Sequence, residues 1–130
     1  MMIGQVNAYR EAVVSLVVRG PANVGREIDA VVDTGFNGFL TLPASLIHEL
    51  GLVWRRRGRA MLADGSDSLF DIYEGTVAWD NTWRRTAVDE AECDPLVGMS
   101  LLHGYQLSIH VANGGDVVIS PLPRPTEEHP

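Results

Sequence analysis

The apolar residues of this chain come in short runs rich in valine and isoleucine, and glycine, proline, asparagine and aspartate separate these runs. β-Branched side chains favour extended backbone, and the separating residues favour turns, so the pattern is typical of strands joined by turns. It predicts a mostly β protein with one or two short helices. A chain of 130 residues has the size of one domain.

The apolar runs group into three predicted hairpins with two helical stretches between them. The paired strands are expected at residues 12–18 and 28–32, 57–62 and 68–77, and 106–111 and 117–120, with single strands at 39–42 and 83–88. Helices are expected at residues 44–50, ended by Gly51, and at residues 96–103, ended by Gly104. Asp64-Gly65 indicates a type I′ turn in the second hairpin. Residues 121–130 hold four of the seven prolines, which predicts a C-terminal tail without a packed element after a domain of residues 1–120.

The charge balance excludes several classes of function. The net charge of −7 at pH 7 opposes nucleic-acid binding, which needs a basic surface. All ten basic residues are arginines, so Schiff-base chemistry and a Walker lysine are excluded. Cys93 is the single cysteine and can form neither an intrachain disulfide nor a multi-thiolate zinc site. With neither a membrane-length apolar run nor a signal-peptide pattern, we expect a cytoplasmic protein without a membrane partner.

One stretch combines residues that suit catalysis. A β-branched run leads into Asp33-Thr34-Gly35, which places a carboxyl at the mouth of a glycine turn, beside a hydroxyl that can hold the turn's backbone. The tripeptide alone is also compatible with an ordinary turn at the end of a strand, because aspartate and glycine both favour turns.

The wider context resembles the retropepsin-like aspartic proteases of the single-domain bacterial and archaeal type. Asp33-Thr34-Gly35 follows an apolar strand and precedes a short strand and a helix; the glycine-tipped hairpin at Asp64-Gly65 comes next, and Pro95-Leu96-Val97-Gly98 leads into a second helix. The resemblance covers about residues 12–120. It implies a closed β-barrel that hydrolyses peptide bonds in peptide or protein substrates, with no cofactor and no metal.

The resemblance also implies roles for individual residues. Asp33 would be the catalytic aspartate, Thr34 would hold the loop through hydrogen bonds to its counterpart, and Gly35 would let the substrate backbone approach. Three residues would pack behind the catalytic loop: Leu96, Val97 and Gly98. Substrate contacts would come from Asn37 and from the hairpin tip, or flap, with Leu62, Ala63, Asp64 and Gly65.

The chemistry predicts a homodimer. In aspartic proteases two adjacent carboxyls share a proton, so that one activates a water while the other donates to the peptide carbonyl. This chain has one Asp-Thr-Gly, and a two-fold axis would supply a second Asp33. The viral pattern differs, with alanine, aspartate and arginine where this chain has Phe36, Asn37 and Met99. Viral members also use their last strand at the dimer interface, where this chain has prolines.

Other interpretations remain open at the level of the sequence. The domain could be a catalytically inactive module for peptide binding or dimerisation, or Asp33 could serve only its turn. His48-Glu49-Leu50-Gly51-Leu52 lacks the second histidine of a zinc motif, and Gly98-Met99-Ser100-Leu101-Leu102 lacks the final glycine of a nucleophile elbow. The basic run at residues 55–59 fits a solvated strand or a contact with an acidic partner. We expect Cys93 to be a small buried or half-buried residue.

Overall fold

The computed structural model describes residues 1–123, which form ten strands and two short helices. The N-terminal half contains β1 (Met2–Val6), β2 (Ala12–Arg19), β3 (Gly25–Val32), β4 (Leu40–Leu42), α1 (Ala44–Glu49) and β5 (Val53–Met61). The C-terminal half contains β6 (Asp67–Trp79), β7 (Thr82–Glu90), β8 (Leu96–Val97), α2 (Met99–Leu102), β9 (Tyr105–Ile109) and β10 (Asp116–Pro121).

Six of the strands close into a barrel. The hydrogen-bonded order is β5-β6-β7-β4-β8-β3-β2-β1-β10-β9, and an additional pairing joins β6 to β2. That pairing sets Val18 opposite Val77 and Arg19 opposite Thr76. The closed ring is therefore β2, β3, β8, β4, β7 and β6, with β1, β10 and β9 extending it on one side and β5 on the other. The predicted mostly β, closed-barrel fold with short helices is confirmed.

Alternating side chains fill the interior of the barrel. Ala12, Val14, Leu16 and Val18 of β2 are buried, and the residues between them are not, because successive side chains of a strand point to opposite faces. Other strands of the closed ring also contribute fully buried residues, among them Leu40, Val77, Val88 and Val97. Burial of these apolar side chains is the main favourable contribution to the stability of the barrel.

The three hairpins form where the sequence predicts them, but β1 was missed. In β1 the side chain of Ile3 is 63% exposed, and Gly4 packs so closely on β2 that an added Cβ would meet the Val13 carbonyl oxygen at 2.0 Å. The sequence Met-Ile-Gly-Gln-Val has no alternation of apolar and polar residues that would predict this strand. Its pairing with β10, more than a hundred positions away in the sequence, makes it a strand.

The helix predicted at residues 96–103 is wrong in its first part. Leu96 and Val97 form β8, which lies parallel to β3 and antiparallel to β4, and only Met99–Leu102 are helical. β8 is flanked on both sides by barrel strands, so its backbone groups are used by the sheet. Gly104 has φ 90°, as expected of a residue that ends a helix.

The predicted type I′ turn is also wrong. The Gly65 N–H donates to the Leu62 carbonyl oxygen at 2.9 Å, and the Leu62 N–H donates to the Ser66 carbonyl oxygen at 2.7 Å. Gly65 has φ 85°, whereas Asp64 does not adopt a positive φ. The connection is therefore a three-residue loop, in which a type I turn precedes a left-handed glycine.

The predicted tail begins too early. Pro121 is the last residue of β10, and the Leu122 N–H donates to the Gly104 carbonyl oxygen at 3.0 Å. Residues 124–130 of that tail lie outside the described residues. Within residues 1–123, no helix has the length and apolar character needed to cross a membrane.

Candidate active site

Asp33 lies directly after β3, where the chain leaves the barrel wall. The neighbouring strand β8 holds this point, because Val31 N–H donates to the Pro95 carbonyl oxygen and Asp33 N–H donates to the Val97 carbonyl oxygen, both at 2.9 Å. The backbone of Asp33 is thus fixed by the end of a parallel strand pair. Its side chain stands at the rim of the barrel and is partly exposed.

The two oxygens of the Asp33 carboxylate have different surroundings. Oδ1 accepts a hydrogen bond from the Gly35 N–H at 2.9 Å, and the Phe36 N–H closes the turn on the Asp33 carbonyl oxygen at 3.1 Å. Within residues 1–123, Oδ2 has no hydrogen-bond partner. The loop therefore orients the carboxyl through one oxygen and leaves the other free to act on a ligand.

The start of α2 supports the loop from behind. Three backbone N–H groups, of Gly98, Met99 and Ser100, donate to the carbonyl oxygens of Phe39, Phe36 and Gly38 at 2.9, 2.8 and 3.0 Å. The Ser100 hydroxyl adds a hydrogen bond to the Asn37 carbonyl oxygen. Ser100 is therefore a packing residue, as its incomplete nucleophile motif indicates. The carbonyl groups of residues 36–39 are therefore all engaged, which fixes this part of the loop.

Gly98 is a glycine because the loop backbone passes directly over it. A Cβ added there would lie 2.2 Å from the Gly38 carbonyl oxygen and 2.6 Å from Cδ2 of Phe36. No side chain fits at these distances. The structure thus places Leu96, Val97 and Gly98 beside or behind the loop of Asp33.

Thr34 and Gly35 are exposed at the tip of the loop. The Thr34 hydroxyl makes no hydrogen bond to any residue of 1–123. The space beside the Gly35 Cα is open, because a Cβ added there would approach only the Asp33 carboxylate, at 3.3 Å. Asn37 is exposed as well, so in the single chain these groups face solvent.

Asp33 lines a cavity of about 390 Å³. Thr34 and Leu96 share this cavity with it, so three of the predicted site residues come together. Most of the remaining wall is apolar, and Arg10 and Glu11 are its charged members; the apolar residues are Val6, Ala12, Val31, Val32, Ile109 and Val111. Sequence reasoning missed Val6, Ile109 and Val111, because only the pairing of β1, β10 and β9 brings them next to Asp33.

The predicted flap residues lie apart from Asp33. Leu62, Ala63, Asp64 and Gly65 form the exposed tip of the β5–β6 hairpin, and none of them lines the Asp33 cavity. Hydrogen bonds from the Ser66 hydroxyl and N–H, at 2.6 and 2.9 Å, lower the pKa of Asp64. An ionised Asp64 thus holds the shape of the hairpin tip.

Asp89 is a second carboxyl close to the loop and was not identified from the sequence. It lies on β7, in register with Thr41 of β4 and Ile72 of β6, and its Oδ2 would be 3.3 Å from a Cβ added at Gly38. Burial raises the pKa of Asp89, and the charge of Arg56 partly opposes this. An aspartate in a strand gives no sequence signal for such burial, which depends on the β4–β7 pairing.

The other chemically reactive residues do not assemble a competing site. Among residues 1–123, no three histidine, cysteine, aspartate or glutamate side chains are grouped to hold a metal ion. His48 is exposed on α1. Cys93 is exposed, which corrects the expectation of a buried residue; it lies in the irregular segment between β7 and β8, where no strand covers it. The pKa of its thiol is raised by partial burial and by the charges of Asp94 and Glu92.

Comparisons with known proteins identify the fold. No protein-family model and no curated protein sequence matches the chain. Among solved structures, a retropepsin-like aspartic protease from Rickettsia conorii superposes with a TM-score of 0.63 at 18% identity, over 92% of this chain and 89% of that one. The EIAV protease in complex with the inhibitor HBY-793 superposes with a TM-score of 0.53 at 13% identity, over 74% of this chain and 88% of that one.

The arrangement of the strands and the comparisons agree. The superposition covers most of both this chain and the Rickettsia structure, so the likeness extends over the fold as a whole. At this level of identity the likeness concerns the path of the backbone. The chain has the retropepsin-like fold of the aspartic proteases.

Proposed function

We propose that this protein is an aspartic endopeptidase that acts as a homodimer, with one Asp33 from each chain in the catalytic pair. The observation that carries the proposal is the Asp33 carboxyl at the rim of a retropepsin-like barrel, oriented through Oδ1 by Gly35 and free at Oδ2. The two neighbouring structures support the same chemistry, since the Rickettsia protein is an aspartic protease by name and the EIAV protein is a protease by name.

Two carboxyls and one water suffice for the reaction. The ionised Asp33 removes a proton from the water, whose oxygen attacks the peptide carbonyl carbon, while the protonated Asp33 of the other chain donates its proton to the carbonyl oxygen. The tetrahedral intermediate then collapses: the C–N bond breaks, the amine nitrogen takes up the proton first removed from the water, and the second carboxyl recovers its own. The products are a carboxylic acid and an amine, and the pair returns to its starting state.

The remaining predicted residues have supporting roles in this proposal. Thr34 is exposed and without a hydrogen-bond partner in residues 1–123, so its hydroxyl would bond its counterpart across the axis. The open position at Gly35 leaves room for substrate backbone, and Asn37 lies exposed beside it. The hairpin tip at residues 62–65 would close over a bound peptide.

The edge of β9 is the surface on which we expect the two chains to join. β9 lies at the end of the sheet order, and Ile109 at its C-terminal end lines the same cavity as Asp33. A two-fold axis at this edge would therefore pass close to Asp33, as the catalytic pair requires. Two identical edge strands can pair antiparallel across such an axis.

The hydrogen bonds of the β9–β10 hairpin define the register of that pairing. His110 N–H donates to the Asp116 carbonyl oxygen, and Leu122 N–H donates to the Gly104 carbonyl oxygen, so the even-numbered residues of β9 use their backbone groups within the hairpin. The backbone groups of Tyr105, Leu107 and Ile109 then point to the open edge. If Leu107 of one chain lies opposite Leu107 of the other, the backbone groups of all three residues form hydrogen bonds in both chains.

Cleavage of an unbiased peptide library, read by mass spectrometry between about pH 3 and about pH 8, tests the proposal directly. The wild type should cleave, and Asp33→Asn should lose at least about a thousandfold in rate, because the pair loses its ionisable group. Asp29→Asn is the matched control, since Asp29 is exposed on the same strand and accepts a hydrogen bond from Ser15. It should cleave like the wild type.

Cleavage that persists in Asp33→Asn would overturn the proposal. So would a dimer that binds library peptides in both forms without cleaving them. That second result would instead favour a catalytically inactive peptide-binding module on the same fold.

A further inference from the structure

A second cavity, of about 440 Å³, lies between the end of β2, the first residues of β5 and β7, and the middle of β6. None of its lining residues lines the Asp33 cavity. Its volume falls within the range of small-molecule sites, roughly 300–1,000 Å³. Its wall is unusual for an acidic protein, because three arginines face it: Arg19, Arg55 and Arg85.

Arg19 is held in a defined position. Its guanidinium lies over the ring of Trp83, with 3.8 Å between the guanidinium carbon and the ring centroid. Within residues 1–123, no carboxylate forms a salt bridge with Arg19. Stacking uses the face of a guanidinium and leaves the N–H groups at its edge free to donate. Arg19 therefore offers oriented donors that have no acceptor of their own.

The cavity has a surplus of positive charge. Its one carboxylate, that of Glu74, accepts hydrogen bonds from Arg55 and lies 3.7 Å from Nε of Arg85. Three guanidinium groups thus face a single carboxylate, which leaves two positive charges unbalanced. The chain as a whole has a net charge of −7, so this surplus of positive charge is local and opposite in sign to the charge of the whole protein.

The neighbouring arginines of the basic run behave differently. Arg57 and Arg59 form salt bridges with Asp71 and Asp67 along the β5–β6 hairpin. These pairs neutralise the run toward the hairpin tip. Only its first residue, Arg55, contributes to the cavity, so the surplus charge arises from residues of three separate strands.

We propose that this cavity binds a small molecule that carries a phosphate group. A phosphate has a charge of about −1.5 to −2 at neutral pH, which matches the two unbalanced guanidinium groups. Its oxygens also suit the paired N–H donors of arginine. A carboxylate, with a single charge, would leave one guanidinium unpaired. Trp83 also lines the cavity and is 49% exposed, so it offers indole surface to a planar ring attached to the phosphate.

Titration calorimetry with inorganic phosphate and with AMP, at constant ionic strength in chloride buffer, tests this site. We expect saturable binding of one phosphate group per chain. Arg19→Gln should weaken binding by at least about tenfold, since one charge-assisted contact is lost. Arg59→Gln is the matched control, because it also removes one positive charge but lies on the hairpin, paired with Asp67. Its affinity should equal that of the wild type.

The two probes separate the two sources of the phosphate group. AMP that binds more tightly than inorganic phosphate indicates an organic phosphate whose ring contacts Trp83, and equal affinities indicate free phosphate. Arg85→Gln provides a second test on an exposed residue, in case Arg19→Gln lowers the melting temperature. Absence of saturable binding by both probes, or equal weakening in Arg59→Gln and in the cavity variants, would overturn the proposal.

Discussion

Asp33 and Asp89 show how the same side chain acquires different properties from its surroundings. Asp33 follows a strand and is oriented by the N–H of Gly35 two residues later, a contact that short-range turn chemistry can produce. Asp89 is affected by burial between β4 and β6, which no local pattern encodes. The first residue was predicted from the sequence, and the second was not.

The raised pKa of Asp89 leads to a prediction about stability and pH. Its pKa in the folded state lies above the ordinary value of 3.8, so the folded chain binds the proton more tightly than the unfolded chain does. Stability contributed by this group therefore falls as the pH rises from 3.8 through the raised pKa. Asp89→Asn removes the cost of burying the charge, and we expect a higher urea midpoint than that of the wild type at pH 7.

That gain should disappear when the carboxyl is protonated in both states, at about pH 2.5 and below. Asp116→Asn controls for the change in net charge, because Asp116 is exposed on β10, and it should show no comparable gain. A midpoint for Asp89→Asn at or below that of the wild type at pH 7 would contradict an energetic cost of partly burying the Asp89 charge.

Short elements depend most on their neighbours. Leu96 and Val97 were predicted as helical, and as β8 they instead lie between β3 and β4, because Val31 and Asp33 donate to the carbonyl groups on either side of Leu96. Long hairpins are more local, so the β5–β6 hairpin was found with its glycine tip, although the type of its turn was not. The edge of β9 is likewise a property of the assembled sheet.

The pairing of two β9 edges can be tested with introduced charges. In the register centred on Leu107, Gln106 of one chain lies opposite Ser108 of the other. Gln106→Lys combined with Ser108→Lys would place like charges opposite each other, whereas Gln106→Lys combined with Ser108→Glu would place opposite charges there. We expect the first pair of changes to raise the dimer dissociation constant by about tenfold or more relative to the second.

Sedimentation equilibrium measures both constants, and thermal unfolding checks that the two double variants fold equally well. Gln106 is exposed and Ser108 is partly exposed, so neither change disturbs the core. Equal dissociation constants for the two double variants would show that β9 is not in the interface. The dimer would then have to form through another surface.

At the scale of the whole molecule, the barrel is complete in one chain, but the proposed catalytic pair is not. Closure between β2 and β6 joins strands about sixty residues apart, and the retropepsin-like fold follows from it. The Asp33 loop lies at the rim of this closed ring, with Thr34 exposed beside it. The proposed chemistry requires a second chain at this rim.

A homodimer also predicts that stability depends on concentration. Because association stabilises the folded state by mass action, a rise of about a hundredfold in protein concentration should raise the melting temperature by about 5 °C. Differential scanning calorimetry over that range measures the shift. A melting temperature independent of concentration, together with a monomeric mass in sedimentation, would contradict the homodimer and with it the shared catalytic pair.

The sequence by itself determined the strand-rich class, the three hairpins, the Asp33-Thr34-Gly35 loop and the likeness that includes Leu96, Val97 and Gly98. These features depend on alternation, turn residues and short motifs, which act over a few neighbouring positions. Only the tertiary structure decided that β8 is a strand, that Val6 and Ile109 line the Asp33 cavity, that Asp89 is half-buried, and that Arg19, Arg55 and Arg85 face a common cavity. Each of these depends on contacts between segments far apart in the chain, and strand pairing alone brings those segments together.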